Sequence, residues 1–181
     1  AVIDQIRYLY VIGDTEGSRR LGEVAVSTWQ KNRTATNLGP DGEHTLLATR
    51  HLATALSQLG LNDRAKTLDQ DALRRFEENP EFGRLHEHTL FTLMRIGVDL
   101  RNAGDLRGAL ESEDDALERH RAVYDDEDYQ TIRVMGNRAV SLRMLGRFSE
   151  AYDVDQECIS ALLDTVGESD WRTLLAQSNL A

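Results

Sequence analysis

The residues best suited to chemistry in this sequence are arginines. Within the segments 44–60, 88–104 and 129–146 stand Arg50, Arg95, Arg101, Arg133, Arg138 and Arg143, against a single acid, Asp99. A guanidinium fork matches a carboxylate in charge and geometry, so such a set can hold an anionic side chain or a terminal carboxylate. The same arginines can equally be solvated or paired with acids elsewhere in the chain, and both readings stand. Other candidates are weaker. His86 and His88 lie in a loop and His44 opens a helix, with no cysteine nearby to complete a zinc pattern. The stretch Gly13 to Arg19 lacks the lysine of a phosphate loop and follows a helix, not a strand. Cys158, the only cysteine, falls in a slot that alanine fills elsewhere and reads as a small buried hydrophobe. No histidine–acid or metal constellation supports a catalytic assignment, so no enzyme, cofactor or metal is expected.

The elements that position these arginines come from an internal repeat. Thr45, Thr89, Thr131 and Thr173 recur at spacings of 44, 42 and 42 residues. Fifteen residues after the first three come Gly60, Gly104 and Gly146, where glycine supplies the left-handed turn that stops a helix. Small residues follow in register at Ala65, Ala109 and Ala151, then at Ala72, Ala116 and Cys158; Gly13, Ser18 and Ala25 continue the pattern towards the start. Apolar spacings of three and four between these marks predict helices over 2–12, 15–32, 44–59, 62–78, 87–103, 106–123, 129–145, 148–165 and 171–181. Thr45, Thr89 and Thr173 are placed to accept an orphan N–H at a helix start, and Asp63 and Asp105 to do so for the second helix of their pairs. Trp29 and Trp171 are expected to pack between helices.

The small residue eight after each threonine (Ala53, Gly97, Ala139, Ala181), the glycine at fifteen and the small residues at twenty and twenty-seven resemble the tetratricopeptide repeat. The 42-residue period and the HTL entry resemble its kinesin-light-chain-like subclass. The phrase from Ala55 to Leu73 resembles bacterial arrays found beside NB-ARC modules and in FxSxx-COOH systems. The resemblance implies an all-α fold, a right-handed α-solenoid of antiparallel helix pairs forming one array over 1–181, with repeats of about 1–43, 44–87, 88–128, 129–170 and a partial 171–181. It also implies that the first helix of each pair lines a concave groove, with the second behind it and its acids outside. The chain departs from the family at the sixth position after the threonine, which holds His51, Arg95, Asn137 and Asn179, and at Arg138, where the other copies have Leu52, Ile96 and Leu180.

A net charge of −10 opposes nonspecific contact with nucleic acid. No apolar run approaches the roughly 18 residues of a membrane span, and a reducing, cytoplasmic setting fits the lone cysteine. The expected function is a protein- or peptide-binding scaffold, whose basic groove recognises an acidic or free-carboxylate peptide through Arg50, His51, Arg95, Arg101, Arg133, Asn137, Arg143 and Asn179. Phe91, Met94 and Val98 would serve as apolar anchors. The alternative is a sensor or autoinhibitory arm of a larger signalling ATPase or transcription regulator. Faces bearing Ile3, Ile6 and Leu9, or Leu174 and Leu180, lack polar caps, so a homo-oligomer formed through the array ends is also expected.

Overall fold

Alternating amphipathic stripes, each ended by glycine or capped by an acid, leave the chain no option but short helices folded back on one another. The computed structural model describes residues 2–32, 34–35 and 37–180. Among them are nine α-helices: α1 (Val2–Val11), α2 (Thr15–Trp29), α3 (Glu43–Gln58), α4 (Asn62–Glu78), α5 (Glu87–Asn102), α6 (Leu106–Arg121), α7 (Tyr129–Met144), α8 (Phe148–Thr165) and α9 (Trp171–Ser178). All nine match the sequence expectation. The largest discrepancies are at α9, which ends at Ser178 short of the expected 181, and at α2, which stops at Trp29 because the chain turns there and the Gly39 amide takes the Trp29 carbonyl. Ala181 lies outside the described residues.

Two compact units divide the chain, Ala1–Ala103 and Gly104–Ala181. In the first, α1 packs on α2, α3 on α4, and the pairs are joined by contacts of α2 with α3 and α4 with α5. The first helices of successive pairs also meet directly, α1 with α3 and α3 with α5. In the second, α6, α7, α8 and α9 pack each on the next.

The turns follow from glycine. Gly60 and Gly146 take φ of 76° and 75°, and the following amides, of Leu61 and Arg147, reach back to the carbonyls of Leu56 and Leu142 at 2.9 Å. This double-backed turn needs a left-handed residue, which a side chain disfavours. Small residues then let helices approach: Ala65, Ala72, Ala109 and Ala116 are fully buried and Ala151 and Cys158 nearly so.

Helix entry works differently from expectation. The caps are His86, Asp128 and Asp170, whose side chains accept from the amides of His88, Gln130 and Arg172. The threonines sit one turn inside, fully buried. Thr89 and Thr173 donate their hydroxyls to the carbonyls of Gly83 and Gly167 at 2.7 and 2.8 Å, so they fasten the preceding turn and do not accept a helix amide. Asp105 caps α6 as expected, its carboxylate accepting from Gly108, whereas Asp63 is inside α4, whose cap is Leu61. Trp29 is half-buried, but Trp171 is 63% exposed on α9. Ile6 is fully buried, so it belongs to the core and not to an open end.

Candidate functional site

One stripe of the second helices α4, α6 and α8 carries a charge where the core would be, whereas the matching position of α2 is Gly22. The acids Asp69, Glu113 and Asp155 stand four residues after Ala65, Ala109 and Ala151 and three before Ala72, Ala116 and Cys158. That spacing keeps all three on the buried face, and they are 0, 0 and 4% exposed. The expectation of an acidic outer surface therefore fails for these three, although Asp71, Glu78, Glu111, Asp114 and Glu118 lie on the more open side of their helices. The signal that would have found them was the stripe itself.

In the first unit the buried acids meet the arginines of the first helices. Asp69 on α4 accepts from Arg95 Nε at 3.1 Å, and Asp99 on α5 accepts from Arg95 Nη2 at 3.3 Å. Both carboxylates are wholly buried, and the second oxygen of each lacks a hydrogen-bond partner. Burial holds the Asp69 carboxyl well above the ordinary range, Asp99 adds to that effect, and Arg95 opposes it. Arg50 on α3 lies close by, its guanidinium carbon 4.5 Å from the centroid of the Phe91 ring. Its Nε and Nη1 are buried with no hydrogen-bond partner. Burial lowers its pKa to about 10, against the pull of Asp69 and with the push of Arg95. His51, the next residue, is pressed to about 4 by burial and then by Arg50, Arg7 and Arg95. Arg7, exposed on α1, was not singled out in the sequence because its helix shows little of the repeat. Three first helices thus bring four basic groups together, one of them with unused donors.

In the second unit the arginines are engaged more completely. Arg143 on α7 pairs with Asp155 on α8, and Arg138 Nε donates to Asp114 Oδ1 on α6 at 2.6 Å. Arg133 Nη1 donates to Gln130 at 3.0 Å, and its guanidinium carbon is 5.8 Å from the Tyr129 ring centroid. Arg172, bonded twice to Asp170, is 5.2 Å from the same centroid. Beneath these arginines a 120 Å³ cavity opens among Ile132, Gly136, Cys158, Leu162, Trp171 and Leu175. A Cβ on Gly136 would meet nothing within 4 Å, so this mid-helix glycine leaves the cavity wall open.

The remaining expected residues scatter. Met94 is 4% exposed and packs inside, so it is no surface anchor. Phe91 is half-buried beneath Arg50, and Val98 is half-buried one turn past Met94. Arg101 is half-buried in the last turn of α5, Asn137 is half-buried on α7, and Asn179 is exposed and lines the Gly136 cavity. Cys158 is 3% exposed, and burial pushes its thiol up to about 12, well away from nucleophilic use. His86 packs edge-on and His88 tilted against Phe82, centroids 5.0 and 6.2 Å apart, as members of an aromatic cluster.

Residues 88–164 match the family model of the tetratricopeptide repeat. That segment is built of tetratricopeptide repeats. The whole chain shares its fold with two crystal structures of Podosopora anserina kinesin light chain nearly identical TPR-like repeats. They cover 99% of this chain and 81 and 82% of their own, with TM-scores of 0.81 and 0.80 at 15% identity. BtubC (BKLC) from P. vanneervenii is similar over 97% of this chain and 67% of its own, with a TM-score of 0.79 at 16% identity. No curated protein matches significantly in sequence. Tetratricopeptide repeats are in general non-catalytic scaffolds for contact between proteins. No helix among the described residues is long and apolar enough to cross a membrane.

Proposed function

We propose that this tetratricopeptide scaffold binds an acidic or free-carboxylate peptide, and that the first unit reads the carboxylate on the face shared by α1, α3 and α5. The observation that carries this reading is Arg50. Its guanidinium is a buried cation with two donors unused, and burying such a group without hydrogen bonds is costly unless a partner completes it. Arg7 and Arg95 add to the positive potential that the neighbouring His51, held neutral, registers. Arg95 holds Asp69 and Asp99 in place and acts as support, not as the contact. The ring of Phe91, half-buried beneath Arg50, supplies the apolar side of the same site, because exposed charge pairs alone contribute only about 0–1 kcal/mol each.

The test is calorimetric titration of an acidic peptide with a free C-terminus, and of its amidated, neutral counterpart, against wild type and Arg50→Met at two salt concentrations. Tighter binding of the charged peptide is expected, weakening as salt rises, with the preference lost in Arg50→Met. Equal binding of both peptides to wild type would remove the carboxylate reading and leave the scaffold intact.

A further inference from the structure

The seventh position after each repeat threonine is apolar and buried in the first two copies, Leu52 at 4% and Ile96 at 5% exposed. In the third it is Arg138, which cannot fill that slot. Its side chain is 23% exposed and reaches out to Asp114 on α6. Where a plug would stand there is instead a 520 Å³ cleft, floored by Leu117, Met135 and Val154 from α6, α7 and α8. A second hollow of 300 Å³ shares Met135, Arg121 and Glu157 with it.

The walls are acidic. Two cations line them, and both are taken: Arg138 by Asp114, and Arg121 by Asp126 at 2.5 Å. Glu118, Glu127, Glu157 and Asp164 remain, all exposed and without a basic partner among the described residues. An apolar floor flanked by the uncompensated carboxylates of Glu118 and Glu157, with those of Glu127 and Asp164 in the adjoining hollow, is complementary to a segment that offers one apolar side chain between cations. Like-charge surfaces are repelled from it.

We propose that the cleft left open by Arg138 is a docking site for a lysine- or arginine-rich segment of a partner protein, whose one apolar side chain rests on Leu117, Met135 and Val154. This site uses the second unit alone and does not depend on the Arg50 reading. Arg138 here determines specificity by what it does not fill, and its bond to Asp114 keeps it off the floor.

The whole chain is titrated with a fluorescent peptide of alternating lysines around a central leucine, against wild type, Arg138→Leu and the double variant Glu118→Lys, Glu157→Lys. Wild type is expected to bind with an affinity that falls as salt rises, and the double variant to lose at least tenfold. Arg138→Leu is the deciding arm, because it restores the residue type of the other copies and removes a positive charge. Diffuse acidity predicts equal or tighter binding there, whereas a filled cleft predicts a loss of severalfold with an unchanged circular dichroism spectrum. Equal or tighter binding by Arg138→Leu overturns the proposal, as does absence of binding by wild type. Concentration-dependent self-association in sedimentation that the peptide competes and Arg138→Leu abolishes also overturns it, by assigning the cleft to a second copy.

Discussion

The same repeat slot holds Asp69 in the first unit and Asp155 in the second, and the two are satisfied in opposite directions along the chain. Asp69 takes its cation from the helix that follows, Arg95 of α5, whereas Asp155 takes its cation from the helix before, Arg143 of α7. In the first unit one guanidinium serves two buried acids while a second, Arg50, keeps donors unused. In the second, Arg138 and Arg143 each close on one acid. A buried carboxylate is thus a shared feature of α4, α6 and α8, and Glu113 in the second unit also keeps one buried oxygen without a hydrogen bond, but among the described residues only the first unit carries an excess of buried guanidinium donors left unsatisfied. Such an excess is costly to the fold, and it marks where a ligand has most to offer.

The largest effect should come from breaking that asymmetry at its centre. Arg95→Ala strands Asp69 and Asp99, both 0% exposed, and removing one partner of a buried pair costs about 3–5 kcal/mol. Arg143→Ala leaves Asp155 without its partner, but Arg143 is itself 28% exposed, so water enters more easily and the loss should be about 1–2 kcal/mol. Urea denaturation at neutral pH measures both. Equal losses would erase the distinction between the units.

How far this could be read beforehand depends on repetition. Gly60, Gly104 and Gly146, and the alanines that follow them, were legible because several copies agree and each has a single physical reason. The buried acids were legible in principle, since Asp69, Glu113 and Asp155 share the stripe of the small residues, yet an acid looks like surface until the face is assigned. Which arginine each acid chooses was not legible: Asp69 and Asp155 occupy one slot and choose differently, a matter of side-chain reach across helices. Arg7 and the exposure of Trp171 were hidden for another reason, because α1 and α9 repeat too little of the pattern to fix their faces.

A second contrast lies in two histidines. His51 is pressed to about 4 by burial and by Arg50, Arg7 and Arg95, whereas His120 in the second unit is lowered by burial with the Ala116 carbonyl, 2.6 Å from Nδ1, opposing the shift. A histidine with a depressed folded pKa is protonated first in the unfolded chain, so stability rises with pH between about 4 and 6.5 and is flat above. For His51 the span is on the order of 2–3 kcal/mol. Asp69 works in the opposite sense. Its raised carboxyl favours the fold while protonated, and that contribution is lost as pH rises through its folded value. Urea midpoints from pH 4 to 8 for wild type, His51→Gln, His120→Gln and Asp69→Asn separate the three. His51→Gln should flatten the rise more than His120→Gln does; an unchanged slope in His51→Gln would show that neither burial nor its arginine neighbours depress its pKa in the fold.

The smallest effect concerns the repeat threonines, which divide within each unit and not between them. Thr89 in the first unit and Thr173 in the second hold the carbonyls of Gly83 and Gly167, while Thr45 and Thr131, one in each unit, have buried hydroxyl oxygens with no hydrogen-bond partner. Threonine to valine keeps the branched shape and removes only the hydroxyl. At Thr89 and Thr173 the change deletes a buried bond and leaves a glycine carbonyl short of a donor, a loss of about 1 kcal/mol each. At Thr45 and Thr131 it replaces an unsatisfied buried hydroxyl with a methyl, which should leave stability unchanged or raise it by a few tenths of a kcal/mol. Four single variants, compared by denaturation midpoint, decide the matter. If the losses sort by unit, with Thr45 and Thr89 behaving alike, the difference between the units extends to their turns; if they sort by the turn carbonyl, the units share one mechanism of helix entry and differ only in how they carry charge.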